Sequence, residues 1–385
     1  MLTSAVGHDT AAVRKPKIVI VGAGPAGSAC AIELARSAKV EVELLDRSVY
    51  PRRKVCGSGL GPHSLEVLED MGLRSRFEPI ATPMAGIHAK GPGGATVRLR
   101  GKTGAWIVPR TEFDHALVEE AVRTGTKFSE GIRVDGLLRD PDGTVRGVQT
   151  TEGEREADIV VCANGSPSKF ERDERPRYGI RTIMGWWKGA KLDEPDMGVM
   201  IWDRRLEGYY AWLFPEPHGI VNIGLTIPDT AERSHHLREL FTELLDEHFA
   251  TTIEHAEPVG RWQGHPVTST LRVGDICEKR AMWIGEAARL VAPGTVEGIG
   301  FALESGAIAA RTIVEHADAA HGLSALHQAG YRTKIGGSML PKFWAGEALV
   351  RVMRSSRARN IASSFVDPQW AARAASSLMD EPEVA

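Results

Sequence analysis

The sequence predicts a mixed α/β (α+β) fold. A Rossmann-like, parallel-stranded nucleotide-binding domain is interleaved with an antiparallel-sheet substrate domain and followed by C-terminal helices. Three observations predict it: a glycine triplet between a buried strand and a helix, an aromatic-rich alternating stretch in mid-chain, and a late return to buried-strand and small-residue helix patterning. The triplet lies in Lys17-Ile-Val-Ile-Val-Gly22-Ala-Gly24-Pro25-Ala26-Gly27-Ser28, where Ile18 to Val21 have the continuous apolar character of a strand covered on both faces. Gly22 permits the tight turn, Gly24 the close approach of a pyrophosphate, and Gly27 the close packing of helix on strand. The helix opening at Pro25 and Ala26 turns its free N–H groups and positive dipole end toward the phosphates. Val40 to Leu45 form the second strand, and Asp46, followed by Arg47, stands where an acid accepts hydrogen bonds from ribose hydroxyls. A bare glycine triplet is a weak signal, but strand, triplet, helix, strand and acid in this order are specific.

A chain of 385 residues has room for two interlocked domains with a large ligand between them. Its net charge of -3 supplies no global field for nucleic acid, so a nucleic-acid partner is not expected. The cysteines Cys30, Cys56, Cys162 and Cys277 lie far apart, which predicts no metal site and a reducing, cytoplasmic setting. Residues 1–16 lack the charged start and apolar core of a signal peptide and read as a disordered leader. No apolar run has membrane-spanning length.

Along the chain, Arg52-Arg53-Lys54-Val-Cys56-Gly57-Ser-Gly59-Leu is a cation-rich glycine loop, and Leu65, Leu68 and Met71 give helical spacing over His63 to Met71. Hairpins are predicted around Pro92-Gly93-Gly94 and around Pro141-Asp142-Gly143, and Thr111 opens a helix that ends at Gly125. Ile159 to Cys162 rejoin the parallel sheet before the turn Ala163 to Pro167. From Tyr178 to Gln263 strands alternate, with one helix near Glu232 to Phe249. Ala281 to Ile284 are again a buried strand, Gly285-Glu286-Ala-Ala a turn, and Gly298 to Glu315 a long helix. Helical patterning from Gln328 to Phe365 is interrupted at Gly336-Gly337 and Pro341. The resulting boundaries are 17–82, 104–177 and 271–330 for the nucleotide domain, 83–103 and 178–270 for the antiparallel domain, and 331–385 for the terminal segment.

Five separated motifs resemble the geranylgeranyl reductase family, whose para-hydroxybenzoate hydroxylase-like fold is shared with aromatic hydroxylases and flavin-dependent halogenases. They are the glycine fingerprint, Lys54-Val-Cys56-Gly-Ser-Gly59-Leu, Arg110 before a helix, Tyr210-Ala-Trp212-Leu-Phe214-Pro215, and Gly285-Glu286 followed by Gly298-Ile299-Gly300. The resemblance spans Lys17 to Arg354. It implies a non-covalent FAD with its adenosine half on Gly22 to Gly27 and Asp46, and with Arg110 beside the pyrophosphate. It also implies Glu286 at the ribityl region, and Cys56, Gly57 and Gly298 to Gly300 at the isoalloxazine. Helix N–H groups at Gly298 suit the negative charge of reduced flavin. Two departures are visible: many members carry Gly-Asp where this chain has Gly285-Glu286, and Asp-Gly where it has Asn164-Gly165. Glutamate keeps the acceptor one methylene further out, while asparagine keeps the turn without the charge.

Each site candidate has a plainer structural reading beside it. Cys56 is a thiol at the flavin face or a small buried filler, with the site role favoured; Cys30 is helix packing. Tyr210, Trp212 and Phe214 share a strand face and form a substrate wall or an aromatic core. Trp186 and Trp187 point to opposite faces, so at most one joins that wall, and Trp187 is assigned to it. His265 is a pocket residue and proton-donor candidate, against a capping or solvated histidine. Arg52 to Lys54 bind a phosphate or form a solvated loop face, the latter favoured. Lys342, Arg351, Arg354 and Arg357, alternating with Phe343, Trp344, Leu349 and Val352, rest on a membrane surface or form an ordinary surface helix, the latter favoured. His235, His236, His316, His321 and His327 lack metal-ligand spacing and read as surface residues.

The expected function is an FAD-dependent oxidoreductase reducing C=C bonds of an isoprenoid or similarly apolar substrate by hydride transfer from reduced flavin, with Cys56, Tyr210 and Trp212 at the reaction centre. A single dinucleotide fingerprint means that NAD(P)H, another reductant or an electron-donor protein visits transiently. The alternatives are a flavin-dependent monooxygenase or halogenase, and an electron-transfer flavoprotein. Halogenases typically show Trp-x-Trp-x-Ile-Pro, whereas this chain reads Tyr210-Ala-Trp212-Leu-Phe214-Pro215, which favours the reductase.

Overall fold

Continuous apolar runs and alternating runs separate into different sheets. In the computed structural model, which describes residues 14–166, 168, 170, 178–316 and 322–355, the continuous runs make a six-stranded sheet. Its order is β17 (Cys277–Glu278), β18 (Ala281–Trp283), β10 (Ile159–Cys162), β1 (Lys17–Val21), β2 (Glu41–Leu45) and β6 (Lys127–Ser129), parallel except for the β17–β18 pair. Ile18, Val19 and Ile20 have no exposed surface; they share one apolar core with Ala29 and Ile32 of the first helix and with Val145 and Val148 of the hairpin predicted at Pro141. Of the expected leader, residues 1–13 lie outside the described residues; in the rest, the Arg14 guanidinium pairs with Asp158, and the Pro16 carbonyl accepts from Glu41.

The alternating runs form a nine-stranded sheet with the order β15 (Glu257–Pro258), β11 (Tyr178–Lys188), β14 (Ile220–Pro228), β13 (Ala211–Glu216), β12 (Met197–Ile201), β4 (Thr82–Lys90), β5 (Thr96–Ile107) and β3 (Gly59–Leu60). The ninth strand, β16 (Gln263–Ser269), pairs with β11. All pairs are antiparallel except β12 on β4. The predicted hairpin at Pro92 is present, and its second strand runs on to Ile107, past the expected boundary at 103. The hairpin at Pro141 gains a third strand, giving β7 (Val134–Arg139), β8 (Val145–Thr150) and β9 (Gly153–Glu156).

The helices are α1 (Pro25–Ser37), α2 (Pro62–Asp70), α3 (Arg74–Phe77), α4 (Arg110–Arg123), α5 (Leu237–His248), α6 (Ala250–Ile253), α7 (Ile299–Glu315) and α8 (Ala325–Arg354). Small residues let α7 lie directly on α1: a Cβ added to Gly306 would stand 2.3 Å from the Ala26 carbonyl oxygen and 3.0 Å from the Cys30 nitrogen. Helix α5 buries Leu240, Phe241 and Leu244 on the outer face of the large sheet, against Ile183, Leu213 and Ile223.

The expected interruption of α8 does not occur; its thirty residues run through Gly336, Gly337 and Pro341. A proline ring ordinarily clashes with the residue four positions back and orphans its carbonyl. Here that carbonyl belongs to Gly337, which is exposed, so the freed acceptor is open to solvent. The part of the expected helix beyond residue 355, including Arg357, lies outside the described residues.

Gly306→Val is expected to lower the unfolding free energy by at least about 2 kcal/mol, an overpacking cost. Gly337→Ala, where an added Cβ meets nothing within 4 Å, should leave it unchanged or raise it by about 0.5–1 kcal/mol. Denaturant midpoints of the two variants check this; a tolerated Gly306→Val would contradict the contact.

Candidate active site

The three fingerprint glycines meet different surroundings. Gly22 has φ +103°, and a Cβ there would stand 2.4 Å from the Ala163 carbonyl oxygen. At Gly27 it would stand 1.9 Å from the carbonyl oxygen of Gly22. At Gly24 the nearest atom is an Arg52 guanidinium nitrogen at 3.5 Å, so only this glycine of the three faces open space, where a phosphate can approach. Gly24 caps α1 without a side-chain hydrogen bond, and Pro25 and Ala26 form the first turn. Asp46 ends β2 with its carboxylate fixed: Oδ2 accepts from Ala23 N at 2.8 Å and Oδ1 from Ser48 N at 2.8 Å. Arg47 is exposed.

A buried charge cluster adjoins the turn. Arg110 begins α4 and donates Nε and Nη2 to the two oxygens of Asp114 at 2.7 and 2.8 Å. The same carboxylate, with no exposed surface, takes Arg52 Nη2 at 2.9 Å. Two guanidiniums share one carboxylate, leaving a net positive charge beside Gly24 that suits a pyrophosphate. Arg52 also donates Nε to the Tyr50 hydroxyl at 3.0 Å. Burial opposes the Arg110 charge, but Asp114 and the nearby Cys56 outweigh that and raise its pKa.

The cationic run is therefore not one solvated face. Arg52 turns inward over Gly24, and Arg53, though exposed, rests on the Trp186 ring at 5.7 Å. Lys54 Nζ lies 2.9 Å from His265 Nε2. Burial lowers the Lys54 pKa, with Glu286 opposing. Glu286 sits on the turn Gly285–Ala288 with Oε1 3.8 Å from His265 Nε2, and that buried oxygen has no hydrogen-bond partner. An orphaned acceptor is costly unless a ligand donor meets it, and a ribityl hydroxyl fits. Gly285, at φ +57°, lies against Ala26 of α1, which brings this turn to the nucleotide end.

Register places the aromatic residues on the inner face of the large sheet. One cross-strand row holds Trp186, Asn222 and Phe214; the next holds Met184, Gly224, Trp212 and Met200; a third holds His265, Thr182 and Thr226. Gly224 is required because a Cβ there would stand 2.3 Å from the Trp212 ring. Trp212 donates Nε1 to Asn222 Oδ1 at 2.6 Å, and the Tyr210 hydroxyl donates to the Thr295 carbonyl. The glycine loop meets this wall: Cβ atoms added at Gly57 would lie 3.3 Å from Trp212 Nε1 and 3.6 Å from the Phe214 ring. Trp187 corrects the expectation. It points to the outer face and packs on Phe241, ring centroids 6.3 Å apart, while its neighbour Trp186 takes the inner place. Strand alternation allowed one of the two and did not say which.

Gly298 caps α7 and Ile299 is buried behind it. Gly300 serves packing instead of approach, since a Cβ there would stand 2.7 Å from Ser64 Oγ of α2. Sequence reasoning missed Asp114, Asn222 and Glu216, and took Trp187 in place of Trp186. Asp114 was findable as the i+4 partner of Arg110; Glu216 stands two residues past Phe214 and accepts from Trp186 Nε1 at 3.1 Å. Burial pushes the Glu216 carboxyl up to about 7, against hydrogen bonds from Trp186 and Ser58. Among the described residues one group has metal-binding proximity, Asp203, Glu247 and His248, where Arg205 Nη2 already donates to Asp203 at 2.7 Å.

Residues 15–221 match the family described as FAD binding domain. The chain is 31% identical over 320 residues to a menaquinone reductase of Mycolicibacterium smegmatis, covering 76% of this chain and 75% of that one. It is 28% identical over 313 residues to digeranylgeranylglycerophospholipid reductase 2 of Methanosphaera stadtmanae, covering 76% of each. In fold it is similar to a geranylgeranyl bacteriochlorophyll reductase-like protein of Thermoplasma acidophilum, with a TM-score of 0.78 at 20% identity over 91% of this chain and 97% of the other. A flavin-dependent brominase is also similar in fold, with a TM-score of 0.74 at 19% identity over 91% and 99%.

Gly24→Val is expected to leave the unfolding midpoint of flavin-free protein within about 0.5 kcal/mol while weakening FAD binding at least about tenfold, read by flavin fluorescence titration. Full retention of FAD affinity would contradict the phosphate site. Asp114→Asn should cost about 3 kcal/mol of stability, because it leaves two guanidiniums without their buried counter-charge. Urea denaturation measures this, and an unchanged midpoint would show that Asp114 is not their anchor.

Proposed function

The chain belongs to the FAD-binding-domain family, as an FAD-dependent oxidoreductase of the geranylgeranyl reductase and menaquinone reductase type, and we propose that it reduces carbon–carbon double bonds of an isoprenoid or other apolar substrate. The observation that carries this reading is the Cys56–Gly59 turn. It follows Arg52, which is paired with the Asp114 carboxylate on the nucleotide side, and lies on Trp212 and Phe214 of the aromatic side. A planar cofactor anchored at Gly24 thereby extends toward an apolar wall.

In this reading Gly22, Gly24, Pro25, Ala26, Gly27 and Asp46 hold the adenosine half of FAD, and Arg52 and Arg110 hold the pyrophosphate. Glu286, kept in reach by His265 and Lys54, accepts from the ribityl chain, while Cys56, Gly57 and Gly298 border the flavin ring. Bound FAD supplies hydride chemistry. Tyr210, Trp212, Phe214 and Trp186 exclude water and orient an apolar substrate. The electron donor is NAD(P)H or a protein that visits the flavin transiently. No helix of the described residues is long and apolar enough to cross a membrane. The exposed Trp344, beside Lys342 and Arg351 on α8, suits peripheral contact with a membrane that carries such a substrate.

Anaerobically reduced protein is expected to be reoxidised by a polyprenyl alkene, with the product gaining two hydrogens by mass spectrometry. Reoxidation by oxygen through a peroxide absorbance, with an oxygenated or halogenated product, would replace this reading by the monooxygenase or halogenase one. Reoxidation by a protein partner alone would make the chain an electron carrier.

A further inference from the structure

The terminus of α7 that borders the proposed flavin ring does not stand bare. Glu297 immediately precedes its cap, Gly298, and the Glu297 side chain folds back over the first turn: Oε1 lies 3.1 Å from where a Cβ on Gly300 would stand. The same oxygen accepts from Ser64 Oγ at 2.9 Å and comes within 3.6 Å of a Cβ placed on Gly61. Gly61 caps α2 and Ser64 lies in its first turn, so one carboxylate stands at the positive ends of two helices, neither of which has a side-chain cap at its N-terminus. We propose that Glu297 sets the reduction potential of bound FAD, holding it low.

Two features give that charge its effect. The first is position. The Glu297 carbonyl accepts from Ala292 N at 2.9 Å, and Val296 packs on the cluster of Trp202, Tyr210 and Trp212, so the backbone that carries the carboxylate is fixed between the aromatic wall and α2. The second is that the charge is not cancelled. Among the described residues the carboxylate makes no ion pair, and the Ser64 hydroxyl that donates to it is neutral. Glu304, two turns further along α7, is the contrast: His63 Nε2 lies 3.1 Å from its carboxylate, and Lys342 Nζ stands 2.8 Å from the other ring nitrogen. Glu297 is half-buried, where water screens a charge only in part. Its field extends to the aromatic wall, since burial raises the Tyr210 pKa and the Glu297 charge adds to that rise.

The inference rests on the reading that puts Gly298 beside the flavin ring. Reduction adds negative charge to the ring, and a bare helix terminus would favour it. A terminus already complemented by a carboxylate does not, and the carboxylate repels the added charge. Reduced FAD is therefore held less tightly, relative to oxidised FAD, than it would be beside a neutral residue, and is the stronger hydride donor for it. The electron pair enters from the nicotinamide or protein donor and leaves as hydride to the alkene; Glu297 itself exchanges neither proton nor electron.

Potentiometry of the full chain loaded with FAD, equilibrated anaerobically with reference dyes, tests this without any substrate. Glu297→Gln should raise the midpoint potential by at least about 30 mV, which for a two-electron couple is a tenfold gain in affinity for reduced over oxidised FAD. Glu297→Asp keeps the charge and should stay closer to wild type than Glu297→Gln does, whereas loss of a merely structural brace would move both alike. A Glu297→Gln potential equal to or below that of wild type overturns the inference, as does a Glu297→Asp potential raised as far as that of Glu297→Gln. Wild-type protein that binds no FAD overturns the flavin-site reading, and this inference with it. Wild-type protein that binds FAD but reduces no alkene overturns the reductase reading alone, and the potentials still decide the role of Glu297.

Discussion

One buried carboxylate organises the site. Asp114 has no contact with water, and its two oxygens are shared by guanidiniums that arrive from different parts of the chain, Arg110 from its own helix and Arg52 from the loop after β2. Burying an ion is unfavourable unless the pairing is complete, so the cluster is stable only when both arginines are in place. Arg52 reaches over Gly24, and Arg110 reaches Cys56. The phosphate turn and the glycine loop are consequently fixed relative to one another by a charge balance that leaves a surplus of positive charge.

The surplus is the functional content of the cluster. Two cations on one anion invite a further anion, and the free helix terminus at Gly24 adds N–H donors at the same place. A few residues along, Lys54, His265 and Glu286 form a second polar group with the opposite deficiency, a buried acceptor that lacks a donor. A ligand with phosphates at one end and hydroxyls further along completes both groups at once. The Glu286 departure from the usual aspartate is explained in these terms: the longer side chain comes within 3.8 Å of His265, whose ring stands beside Lys54.

Much of this was legible in the sequence wherever one local rule dominated. Gly22, Gly24 and Gly27 were each assigned a distinct task; in the structure Gly22 and Gly27 are closely packed and Gly24 faces open space, differences that depend only on near neighbours. Strand alternation put Tyr210, Trp212 and Phe214 on one face for the same reason. Residues whose role depends on a distant partner were not legible. Nothing in Arg52-Arg53-Lys54 says that three adjacent cations will find Asp114, Trp186 and His265, since those partners lie on three other segments. The choice between Trp186 and Trp187 likewise turns on which face α5 covers. Pro341 misled because a proline is judged by the helix it interrupts, whereas here the residue four positions earlier is a glycine exposed to water.

Two residues with strained backbone, Ser58 and Val296, lie where the two halves meet. Val296 is β-branched yet holds φ +54°, and Ser58 holds φ +62°; both conformations are unfavourable for such residues by themselves. Val296 lies in the loop that leads into α7, one residue after the Thr295 carbonyl that takes the Tyr210 hydroxyl. The same loop is braced from behind by α8, where Gly346 approaches so closely that an added Cβ would stand 2.0 Å from the Pro293 carbonyl oxygen. The α7 terminus is thus held from one side by the aromatic wall and from the other by the terminal helix. Ser58 is held by the Val108 amide, which donates to its carbonyl at 2.9 Å. Backbone strain of this kind persists only where tertiary contacts over-determine the chain. Its position on both loops that border the proposed flavin ring indicates that the surrounding packing is used to fix those loops before any ligand arrives.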